Sequence, residues 1–164
     1  MTAYLIKDIK QFMNLLLTSE TFDRFSFEEG RLVTFYTLEL DGRTVKEFFD
    51  ESPGKPSELP EFVNWHDIRP VLLSQIAGKQ TPVSFQFTLH ADAGYTRRLI
   101  EKNELEIDPG LVRCLALNIR FEHGKLTCIT GIAFTTFVPD KSLEKAWDSA
   151  FRKSLDLLHI SFEE

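Results

Sequence analysis

Leu5, Ile6, Ile9, Phe12, Met13, Leu16 and Leu17 recur at the three-to-four spacing of a helix, while Lys7, Lys10, Gln11 and Asn14 fall on the opposite side. The spacing predicts a first helix over this segment. From Phe22 onward the pattern changes. Glu29-Gly30 and Asp41-Gly42 are turn pairs, and Arg31 to Leu40 between them is rich in β-branched and aromatic residues, which predicts three antiparallel strands. Val83, Phe85, Phe87 and Leu89 alternate with Ser84, Gln86, Thr88 and His90, the period-two pattern of a strand with one buried face. A two-residue turn at His123-Gly124 sets Leu115, Leu117, Ile119 and Phe121 across one sheet face from Leu126, Cys128, Thr130 and Ile132.

Three further helices are predicted from caps and apolar stripes. Asn64 is placed as an N-cap, Pro70 falls early enough to be tolerated or to start the helix proper, and Val71, Leu72, Leu73 and Ile76 supply an apolar side that Gly78 ends. Asp92 caps a short helix through about Lys102. Asp140 sits where an N-cap belongs before a closing helix whose stripe is Leu143, Ala146, Trp147, Ala150, Phe151, Leu155 and Leu158, after which Ser161 to Glu164 reads as a loose tail. Residues 51–60 hold Pro53, Gly54, Lys55, Pro56 and Pro60, a composition that blocks regular structure and links two halves of one domain. Helices and strands do not alternate strictly, so the expected class is α+β, an antiparallel sheet (or two sheets) with helices packed on one face. The alternative layout is a clamp-like pseudo-repeat of helix plus antiparallel strands.

Composition bounds the rest. A chain of 164 residues with 43% apolar residues and fifteen Phe can bury roughly 70% of its unfolded surface around one core. No apolar run approaches the ~20 residues of a membrane span, and Met1 to Lys10 lacks the order of a secretory signal, so a cytoplasmic protein with no membrane partner is expected. In the predicted hairpin Cys128 lies opposite Ile119 and Cys114 opposite Ala133, on different faces, so the two thiols stay reduced. The net charge of −6 disfavours non-specific attraction to nucleic acid or anionic lipid over the whole surface.

The search for chemistry returns no catalytic constellation, cofactor motif or metal site. All eight glycines are isolated, so no Gly-rich loop cradles phosphate, and no Ser occupies a Gly-x-Ser-x-Gly elbow. His90-Ala91-Asp92 offers two ligand types where a metal needs three or four, and helix capping accounts for Asp92. Trp65, Arg69 and Lys79, around a Pro-bearing helix, are the candidate binding residues: Arg gives a planar fork for an anion and Trp a large amphipathic anchor. Each also has a structural explanation, Trp65 as a staple at the helix start and Lys79 as a cation at the negative helix end. Lys7 and Lys10 with Arg97, Arg98 and Lys102 form the nearest thing to a basic face. Phe48, Phe49 and Phe62 are either a docking patch or packing beneath the linker.

The strings Ile6-Lys7-Asp8-Ile9-Lys10, Thr21-Phe22-Asp23, Asp41-Gly42-Arg43, Trp65 to Pro70, Asn118-Ile119-Arg120 and Asp140 to Lys145 together resemble a family of uncharacterised proteins from clostridia and related Gram-positive bacteria. The resemblance spans nearly the whole chain and implies no activity. The expected function is a non-enzymatic binding protein for a protein or small anionic ligand. The alternatives are a nucleic-acid-associated protein of clamp-like build, and an enzyme on a small anionic substrate using His66 or Asp67 for proton transfer.

Overall fold

Tyr4 and Ile6 are both buried and two residues apart, a strand periodicity that overrides the helical spacing they share with later apolar residues. Leu5 and Ile6 therefore belong to a strand, β1 (Ala3–Ile6), and not to the first helix. The helix α1 begins only at Ile9 and runs to Thr18, because Asp8 caps it by accepting a hydrogen bond from the Gln11 N–H at 3.2 Å. The computed structural model describes residues 1–50, 58–78 and 80–164, so most of the expected linker at 51–60 lies outside the described residues.

The predicted turn at Glu29-Gly30 is also corrected. Gly30 lies inside β2 (Ser26–Val33), and the chain reverses at Thr34 to Tyr36 before β3 (Thr37–Asp41). Gly30 points into the core, where a Cβ would stand 2.9 Å from the Phe27 ring and 3.0 Å from the Phe87 ring, so glycine is there to admit two aromatics. The third strand on β2 comes from further along, as the two-residue β4 (Val63–Asn64).

Asn64 then caps α2 (Trp65–Ile76) through the His66 N–H, with Pro70 inside the helix. It is followed by β5 (Ser84–His90), α3 (Ala93–Lys102, capped by Asp92) and the long hairpin β6 (Val112–Glu122) and β7 (Lys125–Phe134). The hairpin has the expected register, Ile119 opposite Cys128 and Cys114 opposite Ala133. The closing helix α4 (Ser142–Leu157) has Lys141, and not Asp140, at its N-cap; Asp140 stands one residue earlier and accepts from the Ser142 N–H at 2.8 Å. The tail is not loose: β8 (Phe162–Glu163) pairs with β1, and Phe162 packs edge-on against Tyr4 at 5.6 Å.

All eight strands among the described residues join one antiparallel sheet, in the order β3-β2-β5-β6-β7-β1-β8 with β4 on β2. The fold is α+β. Alternate residues Phe85, Phe87, Leu89, Leu115, Leu117, Ile119, Leu126 and Cys128 are buried, while Gln86 and Arg120 on the other face are exposed. The four α-helices among the described residues cover the buried face. Trp65 of α2 meets Phe27 and Phe87, Phe151 of α4 meets Tyr4, Tyr95 of α3 meets Trp147 of α4, and α1 lies on α2. β1 lies between β7 and β8, so the first strand pairs with strands from the end of the chain and not with β2.

Candidate functional site

The three candidate binding residues part company in the fold. Trp65 has no exposed surface: its Nε1–H donates to the Leu16 carbonyl at 2.9 Å and its ring leans on Phe27 and Phe87. It anchors the core and presents nothing to a partner. Arg69 forks onto Asp23, with Nε to Oδ1 at 2.8 Å and Nη2 to Oδ2 at 3.0 Å, and His66 Nδ1 meets the same Oδ2 at 2.8 Å. Lys79 lies outside the described residues.

The Arg69 pair has a purpose that the sequence does not announce. Asp23 sits in the turn between α1 and β2, and tying it to α2 fixes that turn, whose neighbouring residues Phe22 and Arg24 line a cavity. The Arg69 hydrogen bonds, with a smaller contribution from His66, outweigh burial and hold the Asp23 carboxyl below the usual carboxylate range. A depressed carboxyl contributes stability above its unfolded pKa and loses it as pH falls through the folded value. Asp23→Asn is therefore expected to destabilise the protein at neutral pH, with the gap from wild type closing in the acid range below the normal carboxylate pKa. Urea midpoints across pH 2–7 measure this, and a gap that does not narrow on acidification contradicts it.

That cavity, of about 320 Å³, opens between the 21–25 turn, the start of α3 and one side of α4 from Trp147 to its C-terminal end. Its walls are mainly apolar: Phe22, Phe25, Trp147, Phe151, Leu155 and Leu158. The Trp147 Nε1–H is held by the Ala116 carbonyl at 3.0 Å, and its ring stands edge-on to Tyr95 at 5.8 Å. A second concavity of about 400 Å³ runs between α3 and α4. Both are lined by Tyr95, Ser154 and Leu157, so they adjoin along α3 and α4 and together make up the groove described below.

Helix spacing explains the second concavity. Asp92 accepts from the Tyr95 N–H at 2.6 Å and sets the phase of α3, so that Leu99 and Ile100 enter the core while Tyr95, Arg98 and Lys102, three or four residues apart, face α4. On α4 the facing residues are Ala146, Ser149, Ala150 and Lys153. Three of these are small, so the helices leave a trough instead of closing on each other.

The charge of this groove runs against that of the whole chain. Arg24 lines the apolar end and Arg98, Lys102 and Lys153 line the trough, and none of the four forms an ion pair among the described residues. The single carboxylate in the lining, Asp92, is engaged as the α3 cap. The Tyr95 hydroxyl makes no hydrogen bond among the described residues; burial raises its pKa, with the Arg98 charge opposing.

The structure thus brings Arg98 and Lys102 of the expected basic face together with Lys153, and leaves the others elsewhere. Lys7 pairs with Glu163 at 3.0 Å, Lys10 is on α1, and Arg97 does not line the groove. Sequence reasoning missed Lys153 and the small-residue face of α4. Ala146, Ser149, Ala150 and Lys153 do share one face at helical spacing, but only the packing of α4 beside α3 makes that face a wall.

Elsewhere, His90 Nε2 meets Glu28 Oε2 at 2.7 Å under the Phe62 ring, and no group of three or more potential metal ligands gathers among the described residues. Phe62 is buried and Phe48 is exposed. Burial raises the Cys114 thiol pKa, and more strongly that of Cys128, which leaves both as unreactive thiols. No helix among the described residues is long and apolar enough to cross a membrane.

No curated protein and no solved structure matches the chain. The profile of DUF5721, a family of unknown function, matches residues 15–163, a span that takes in the Asp23–Arg69 pair, the groove and every helix but the first turns of α1. The chain is a member of that family.

Proposed function

We propose that the protein is a non-enzymatic binding module that holds an anionic ligand in the groove between α3 and α4. One observation carries the reading: in a chain of net charge −6, the groove is lined by four cations that form no ion pair among the described residues and by one carboxylate, which is already committed to a helix cap. Several cations gathered on one face without a compensating carboxylate make a local positive potential that attracts an anion. Binding is favoured over catalysis because the lining holds no histidine or cysteine to move a proton or attack a substrate. A cytoplasmic location fits the two free thiols, which sit on opposite faces of the sheet.

Thermal unfolding with a panel of phosphates and carboxylates tests the reading, run on wild type and on an Arg98→Ala, Lys102→Ala, Lys153→Ala triple variant. All three side chains are exposed, so the variant keeps its fold. A ligand at a hundredfold excess over its Kd raises the wild-type Tm by roughly 5–10 °C, and the triple variant loses most of that rise. Equal shifts in both proteins would remove the groove as the site.

A further inference from the structure

No α-helix among the described residues lies on the sheet face that carries Gln86 and Arg120, and at one end of it Phe62 stands over His90. Antiparallel pairing arranges this face in rows. At its centre Ala116 lies opposite Gly131 and Asn118 opposite Ile129, with Ala3 next to Ile129. These residues are small or uncharged and keep part of their surface in water. Charge begins one row further out, at Arg31, Arg120 and Glu163, and continues at Glu122 and Lys125. An uncharged centre inside a charged rim is the anatomy of an interface, whereas a sheet face kept in water is polar along its length.

Gly131 sharpens this. Its backbone needs no glycine, since among the described residues Gly124 is the glycine with positive φ, and a Cβ on Gly131 would meet nothing within 4 Å. Glycine inside a strand weakens it and marks a place where a ligand or another backbone comes close. No described part of the chain comes close to that position, so the approaching surface belongs to another molecule.

We infer that this face packs against the same face of a second copy, with a two-fold axis along the seam between β6 and β7. Such an axis sets each row against itself in reverse order. Ala116 meets the partner's Gly131, so the two sheets can approach to the roughly 10 Å of a sandwich. Glu122 meets the partner's Lys125, which has no ion pair among the described residues of its own chain, and one row inward Arg31 meets the partner's Glu163. Opposite charges thus meet on a face of mixed sign, which suits its own copy and not nucleic acid or anionic lipid, since each of those needs a positive face. The size is also right. With roughly 4.8 Å between strands and 3.4 Å per residue, β1, β2, β5, β6 and β7 present about 600 Å² of flat area before side-chain relief, near the ~800 Å² per partner of a stable interface. The helices point away from the seam, so each copy keeps its α3–α4 groove open.

Sedimentation velocity with light scattering tests this on the full chain across roughly 1–100 µM. Wild type is expected at twice the chain mass of 18.9 kDa. Gly131→Arg puts a charge at the centre of the interface while its Cβ meets open space in the lone chain, so the dimer Kd is expected to rise at least about a hundredfold with circular dichroism unchanged. Glu122→Lys and Lys125→Glu each set like charges across the seam and are each expected to weaken their own dimer about tenfold, and an equimolar mixture of the two recovers a dimer holding one of each. The mixture reads a gain, so it decides the matter even where Gly131→Arg does not fold. A wild-type chain that stays monomeric over the whole range overturns the dimer. A dimer that survives Gly131→Arg, or that the mixture fails to recover, is built on another surface and overturns this one.

Discussion

Trp65→Ala is expected to lower stability by about 3–5 kcal/mol, measured as a shift in the urea midpoint at constant m. Trp65 is the largest fully buried side chain in the protein, and it holds three elements at once. Its ring packs against Phe27 and Phe87, each at 5.8 Å between centroids, and its indole donates to the α1 carbonyl of Leu16. Truncation opens a cavity between rigid sheet rings that cannot collapse into it, and it orphans a carbonyl at the end of a helix. Trp65→Phe should fall between the two, keeping part of the volume and losing the donor. A cost below about 1 kcal/mol for the alanine variant would mean that Trp65 is not the anchor. Any loss of ligand binding in a Trp65 variant is accordingly expected to track its unfolding, in contrast to the groove cations.

Gly42→Ala is expected to be comparably severe, about 3 kcal/mol or more, and for a reason of space alone. A Cβ on Gly42 would lie 1.9 Å from the Phe27 carbonyl oxygen and 2.8 Å from that of Glu28, both in the backbone of β2 where its register shifts. No rotamer change relieves a clash with backbone. Gly42 also donates to Glu28 at 2.7 Å and accepts from Val63 at 2.9 Å, so displacing it loosens β4 together with β2. Gly30→Ala is the comparison: the obstructing atoms there are ring carbons of Phe27 and Phe87, which can shift, and a cost of roughly 1–3 kcal/mol is expected. The reverse ranking, with Gly30→Ala the more damaging, would contradict this account of the bulge.

The sequence was most readable where one local rule acted alone. The β6–β7 hairpin is legible in register because a two-residue turn and a strict alternation point the same way, and α3 is legible because Asp92 caps its start. Misreadings arose where a residue obeys two patterns. Leu5 and Ile6 fit both a helix and a strand, and only the partners in β7 and β8 decide for the strand. Glu29-Gly30 resembles a hairpin turn, yet Gly30 is a core position vacated for aromatic rings from two strands. The tail carries too short an apolar signal to announce β8.

The site was less legible than the fold. Arg98 and Lys102 could be named from the basic spacing on α3, but Lys153 and the small face of α4 acquire meaning only when the two helices lie side by side. Trp65 and Arg69 stand out by residue type, and the fold uses them to hold the core and to fix the turn that lines the cavity. Residue type alone does not separate a hot spot from a keystone, since both draw on large side chains with a polar handle.

The most direct test of the groove as the site is an amide NMR titration of the ¹⁵N-labelled protein with the anion giving the largest thermal shift. The account predicts perturbations concentrated at Phe22, Phe25, Tyr95, Arg98, Lys102, Ala150 and Lys153, with the open sheet face at Gln86, Asn118 and Arg120 unmoved. Perturbations centred on that sheet face, with α3 and α4 silent, would contradict it.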